Sequence, residues 1–372
     1  MAKNRKHKKK CRVVNDNAAE LSVLHKPSGE NEPRDGYMYL QTPQHMARKD
    51  PQMAEALESI ATKSDLGGFI VAAARKLDVR FVRQDFNAAS VGGSNRGNVI
   101  SLSAKNSLAE DITVLPHELM HWLQPEDGIQ DRWDYRSRLL AVLSREAGAE
   151  TCAVRVTHEM RENGYADAFN DNAVSPQWSM YRDIYQTFDQ MLQSSREAGF
   201  DDPVRQATDA AFRTYFNQPG LIGNYGGKVL SHYMYNLGRL ARHYPTPGFS
   251  LQAAANQARL QGGECLVYEP VQLPLRDQDL FQGNATLRQA FEYAEMIHIA
   301  KFCNQDTALA YHRKIQTLEA DNNPFLGLNY SKVRSEYSGQ IGQRNPKSML
   351  RIMTDMAGVE SFWHRQAGFD FG

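Results

Sequence analysis

The stretch Thr113–Gln124, TVLPHELMHWLQ, sets two imidazoles and a carboxylate, His117, His121 and Glu118, inside an apolar run. Val114, Leu115, Leu119, Met120, Trp122 and Leu123 cover most of a helix surface and predict a buried helix. Pro116 has no N–H to donate, so the run predicts a helix beginning near Thr113 with Pro116 in its first turn. Residues four apart on a helix lie about 40° apart on one face. His117 and His121 therefore project together and can bind one metal through two ring nitrogens. Glu118, beside the first of them, can take a proton from a water on that metal without being a ligand itself. A pattern this short arises by chance in roughly one chain in a hundred. It therefore needs an independent partner.

Two histidines and a water leave a tetrahedral zinc one ligand short. Downstream, LLAVLSREAGAETCAVRVT (Leu139–Thr157) lies in a long helix predicted from about Tyr135 to Arg161. Steps of three and four along one face give Leu139, Leu143, Glu146, Glu150, Ala153 and Thr157. Two acids thus share the stripe that otherwise faces the core, and a buried carboxylate is costly unless it is paired or metal-bound. Ala147, Gly148 and Ala149 are small enough to let this helix approach a neighbour closely. Asp127 is a rival third ligand, at the last position of an HExxHxxGxxH/D pattern, with Ser179–Tyr181 as a forced Met-turn. Against it, Gln124 replaces the glycine of that pattern, and Glu146 and Glu150 would be left unexplained. Glu146, Asp127 and Glu150 all remain candidates on the residues alone.

The combination of HELMH with a downstream EAGAE helix resembles the gluzincin class of zinc metallopeptidases. EAGAE is similar to the Glu-x-x-Ala-Asp signature of CAAX-type membrane proteases, without their membrane helices, and HELMHWLQ is similar to uncharacterised bacterial metallopeptidase-like domains. The resemblance covers about residues 65 to 160. It implies one zinc ion held by His117, His121 and Glu146, with Glu118 as general base and Glu150 hydrogen-bonded to His117. Glu150 stands where the signature has Asp. The resemblance also implies a protein or peptide substrate, paired with an edge strand beside the active-site helix. The strand candidate NVISLS (Asn98–Ser103) fits that place.

The rest of the chain frames this centre. Its 372 residues, with 41% hydrophobic and 23% charged, suit a folded globular protein of two structural units, and its zero formal net charge gives no field toward nucleic acid or anionic membranes. Cys11, Cys152, Cys265 and Cys303 are scattered without a CxxC pair, which excludes a cysteine-built zinc site and fits a reducing compartment; Cys152 reads as a small core residue. No apolar run reaches the roughly 18 residues of a membrane span, and no hydrophobic stretch follows the basic start MAKNRKHKKKCR. The expectation is a cytoplasmic protein, with export by a dedicated secretion machine as a variant. The alternative function is a non-catalytic zinc-containing binding protein, its contact with nucleic acid confined to residues 1–12.

The expected fold is α+β and mostly helical: a zincin-like metallopeptidase core, a small sheet with its active-site helix, plus a helical C-terminal subdomain. Residues 1–35 read as a flexible basic leader, 36–163 as the catalytic domain and 164–372 as the helical subdomain. Helices are expected at DPQMAEALESIATK, opened by Asp50 and Pro51, and at GGFIVAAARKL. VRFVR (Val79–Arg83) and NVISLS read as strands, with SVGGSNRG a hairpin-like reversal between them. After Asn163 the expectation is helices alone, including DIYQTFDQMLQSSREAG, GKVLSHYMYNLGRLARHY, NATLRQAFEYAEMIHIAKFC and TALAYHRKIQTLEA. A donor for the tetrahedral oxyanion is sought among Tyr225, His232, Tyr233 and Tyr235 of NYGGKVLSHYMYN, with His232 and Tyr235 favoured. His158 reads as a surface histidine.

Overall fold

A computed structural model describes residues 38–39, 43–77, 79–86, 92–96, 99–125, 129–174, 179–259 and isolated positions between 266 and 298. The basic leader, Asp127, and the helix expected at TALAYHRKIQTLEA lie outside the described residues. The chain is mostly helical with one small sheet, and so is α+β.

Helices α1 (Pro43–Lys49), α2 (Pro51–Lys63) and α3 (Asp65–Lys76) form the first layer. Asp50 caps α2 by accepting from the Met53 N–H at 2.9 Å, with Pro51 in the first turn as its fixed φ favours. Ser64 ends α2 and caps α3 by accepting from the Gly67 N–H at 2.7 Å. A Cβ at Gly67 would lie 2.5 Å from the Ile60 carbonyl oxygen, so only glycine permits this tight corner.

The sheet runs in the order β1 (Met38–Tyr39), β2 (Arg80–Gln84), β4 (Val99–Ser103), β3 (Gly93–Arg96). Strands β2 and β4 pair parallel, Arg80 opposite Val99, while β3 pairs antiparallel with β4, Gly93 opposite Leu102. This corrects the hairpin expected between β2 and β4. The reversal joins β3 to β4, which among the described residues leaves β3 on the edge and makes β4 (the NVISLS segment) an inner strand. Phe81, Ile100 and Leu102 are buried, as inner positions of such a sheet demand.

Helix α4 (Leu108–Leu123) lies against β3 and β4 and packs on α2, α3 and the long helix α5 (Tyr135–Glu162). It starts at Leu108 rather than Thr113. Ser107 and Glu110 form a capping box, Ser107 Oγ accepting from the Glu110 N–H and Glu110 Oε2 from the Ser107 N–H at 2.6 Å. Pro116 is consequently inside the helix, where it forfeits the hydrogen bond to the Ile112 carbonyl. Burial of Ile112, Leu115, Leu119, Met120 and Leu123 outweighs that loss.

Beyond α5 come α6 (Asp167–Val174), α7 (Ser179–Glu197), α8 (Pro203–Tyr215), α9 (Pro219–Tyr235), α10 (Leu237–Leu240) and α11 (Leu251–Gln257). Helices α7 and α8 pack along each other across a turn in which Gly199 has φ 72°. Helices α8, α9 and α11 pack on α5, as α4 does. Among the described residues no helix is long and apolar enough to cross a membrane.

Candidate metal centre

The i, i+4 spacing on α4 places the His117 and His121 rings with centroids 4.9 Å apart and planes nearly perpendicular. Helix α5 faces them with Glu146 and, one turn on, Glu150. Glu146 Oε2 lies 3.4 Å from His117 Nε2 and 3.6 Å from His121 Nε2. One ligand atom from each of the three side chains falls within 4.8 Å of the others, a set able to hold one metal ion. The ring nitrogens facing away are engaged too: His117 Nδ1 lies 3.1 Å from Glu150 Oε2, and His121 Nδ1 2.8 Å from Gln124 Oε1. On a neutral ring an acceptor at Nδ1 favours the tautomer protonated there, which leaves the Nε2 lone pair facing Glu146.

The electrostatics favour positive charge in this pocket. Burial opposes a charged His117, but its hydrogen bonds to Glu146 and Glu150 outweigh burial and hold its pKa well above the usual imidazole range. Burial likewise opposes a charged Glu146, yet the charge of His121 and hydrogen bonds to both histidines hold it well below the usual carboxylate range. Glu118, only 7% exposed, is pushed up by burial against the opposing pull of His117 and His121. A divalent cation bound there would take the place of the proton that His117 holds between Glu146 and Glu150. Two nitrogens and one oxygen from side chains already oriented are donors that a first-row divalent metal accepts.

Edge strand β3 crosses this site. Asn95 Nδ2 donates to the Glu118 carbonyl at 3.2 Å, and a Cβ at Gly93 would stand 3.2 Å from Glu118 Oε1 and 2.5 Å from Val114 Cγ1. The glycine lets backbone lie directly against the Glu118 side chain.

Helix α9 supplies the opposite wall, through the candidate Tyr225 and through Lys228 rather than the favoured His232 and Tyr235. The Tyr225 phenol bears on Glu146, and the Tyr181 phenol of α7 bears on Tyr225. Burial, then the neighbouring carboxylates, push both phenols up, so they stay protonated donors. Lys228 Nζ sits 4.7 Å from the Tyr225 ring centroid, its pKa lowered by burial against the pull of Glu146 and Glu118. His232 is exposed instead, and the charges that bear on it are Arg138 and Arg239 rather than the acids of the cluster. Tyr235 is 76% exposed, and Tyr233 is buried against His298. The structure thus brings together His117, Glu118, His121, Glu146 and Glu150 and leaves His232 and Tyr235 outside. Sequence reasoning set Tyr225 behind His232 and Tyr235 and passed over Lys228, although Tyr225 and Lys228 share one helical face at i, i+3, as do His121 and Gln124. The Gly226–Gly227 pair disguised the first of these as a loop.

Residues 43–245 match the model of a family described as "Putative metallopeptidase family (DUF6782)". The match spans more than half of the chain, and the chain belongs to that family. No curated protein and no solved structure matches it.

Proposed function

We propose that this member of a metallopeptidase family is a zinc-dependent peptidase of the gluzincin type, with one zinc ion held by His117, His121 and Glu146. The observation that carries the reading is the convergence of two Nε2 atoms on Glu146 Oε2, while both Nδ1 atoms rest on protein acceptors. Single-residue coincidence does not produce that division of roles. A bound zinc supplies Lewis-acid chemistry, lowering the pKa of a water and polarising the scissile carbonyl.

The chain's own residues do the rest. Glu118 takes a proton from the attacking water as its oxygen bonds to the carbonyl carbon, and hands that proton to the nitrogen as the C–N bond breaks. Burial favours the protonated form of Glu118 and so helps it to deliver a proton as well as accept one. Tyr225 and Lys228 stabilise the negative charge that develops on the carbonyl oxygen, in place of His232 and Tyr235. Glu150 orients His117. The substrate is a protein or peptide whose extended main chain adds to the free edge of β3, which replaces NVISLS in that role. On this reading α4, α5 and the sheet form a zincin-like core, and helices after Asn163 close the far side of the cleft.

Metal analysis beside cleavage of a peptide library tests the proposal. Wild type is expected to carry one zinc per chain and Glu146→Ala to lose it. Glu118→Gln should keep the metal and lose roughly 10²–10⁴-fold in cleavage rate. A wild type that binds no zinc, or a Glu118→Gln protein that cleaves at the wild-type rate, ends the proposal.

A further inference from the structure

Gln124 caps the C-terminus of α4, only 6% exposed, three residues beyond His121. Its side-chain amide makes three contacts: Oε1 to His121 Nδ1 at 2.8 Å, and Nε2 to the carbonyls of Arg145 at 2.6 Å and Gln257 at 2.8 Å. A backbone carbonyl can only accept, so two carbonyls on one side require the NH₂ group there. The amide oxygen is thereby directed at His121, and an acceptor at Nδ1 requires the proton on that nitrogen. With the amide flipped, its oxygen would face two carbonyl oxygens and its NH₂ would compete for the His121 lone pair.

The two carbonyls come from different helices. Arg145 precedes the proposed ligand Glu146 on α5, and Gln257 is the last residue of α11. Gly148 makes their meeting possible: a Cβ there would fall onto the Gln257 carbonyl oxygen and lie 2.9 Å from Gln124 Nε2. Gln257 also lies beyond residues 43–245, the span that the family model matches. The two histidines are therefore held by unlike devices. His117 leans on a charged acid of α5, and His121 on a neutral amide whose orientation depends on where α11 docks.

We propose that Gln124 is the positioning residue for His121, and that α11, seated on Gly148, completes the metal site through it. The inference rests on the zinc reading above.

The test uses the full chain as wild type, Gln124→Leu, Gln124→Glu and Gly148→Ala. Zinc affinity is read by chelator competition, and the His121 tautomer by nitrogen NMR of metal-free protein above the range in which imidazole protonates. Gln124→Leu and Gly148→Ala are each expected to weaken zinc binding about 10- to 100-fold and to mix the His121 tautomers. Gln124→Glu keeps an acceptor at Nδ1 and should hold the Nδ1–H tautomer, while its second oxygen, set against the Arg145 and Gln257 carbonyls, loosens α11 and lowers zinc affinity. Wild-type affinity and tautomer in Gln124→Leu overturn the inference. So does a drop in the metal-free unfolding midpoint with the tautomer unmoved, the mark of a merely structural role. If Gln124→Leu fails to fold, Gln124→Glu and Gly148→Ala still decide. A wild type that binds no zinc sinks the zinc reading instead, and the tautomer still judges Gln124.

Discussion

At the N-terminal half of α4, Asp111 is completely buried, and donors meet both of its carboxylate oxygens. Oδ1 accepts from Arg83 Nη1 at 2.8 Å and Asn106 Nδ2 at 3.0 Å; Oδ2 accepts from Gln52 Nε2 at 2.7 Å and from Arg83 Nη2. Arg83 spends its remaining donors on Asp50 and the Ser103 carbonyl. Seven residues on, and so on nearly the same face, Glu118 enters a cluster of a different kind. There the nearest polar atoms of Glu146 and two histidines point at one another across 3.4 and 3.6 Å. Burial alone does not separate a structural charge from a functional one. Closed hydrogen bonding marks the first pocket, and convergent ligand atoms of three side chains mark the second.

The largest expected effect breaks the first pocket and spares the second. Arg83→Met strips Asp111 and Asp50 of their shared partner and leaves a buried carboxylate uncompensated. A loss of about 3–5 kcal/mol in denaturant unfolding is expected. Zinc affinity of the folded fraction should stay within about twofold of wild type, whereas Glu146→Ala abolishes it. If Arg83→Met lost zinc without losing stability, the two pockets would be one network and the distinction would fail.

A smaller change sharpens the comparison at the second pocket. Gly93→Ala sets a methyl group against Val114 and Glu118, which pushes β3 off the Glu118 side chain. Overpacking of this kind costs about 1–3 kcal/mol. Cleavage should slow about tenfold, as a near-ångström displacement of positioned groups does, with zinc retained. An alanine variant with wild-type stability and cleavage would show that β3 does not bear on Glu118.

What the sequence disclosed follows the range of the forces involved. The helices α2, α3 and α5, and the facing of His117, His121, Glu146 and Glu150, rest on local periodicity and were legible. Pro116 misled because a proline argues locally for a helix start, while the capping box of Ser107 and Glu110 and the burial around α4 decided otherwise. The partner of β4 was misplaced because glycines announce a reversal without saying which strands it joins. Tyr225 was set below its neighbours, and Gln124 was not read as a partner of His121, because what they bear on, Glu146 and Gln257, lies far away in the chain.

His158 tests the same distinction at its smallest scale, because it is a third way to bury a titratable group: uncharged. It was expected at the surface, yet it is 2% exposed, with its ring 5.0 Å from that of Phe188 and 6.1 Å from that of Phe169. Arg161 Nη2 donates to its Nδ1 at 3.1 Å, which only a neutral imidazole accepts. Burial, then the charge of Arg161, push its pKa down to about 4. The unfolded chain takes up this proton near pH 6.5, and the native protein only near pH 4. Its contribution is therefore fully present above about pH 6.5 and declines as the pH falls toward 4. His158→Gln keeps an acceptor for Arg161 and does not titrate. Between about pH 7 and pH 5 wild type should lose about 1–2 kcal/mol more than this variant, a figure reduced for solvent screening at the Arg161 rim. Parallel stability curves for the two proteins over that interval would mean that His158 already accepts a proton in the native fold.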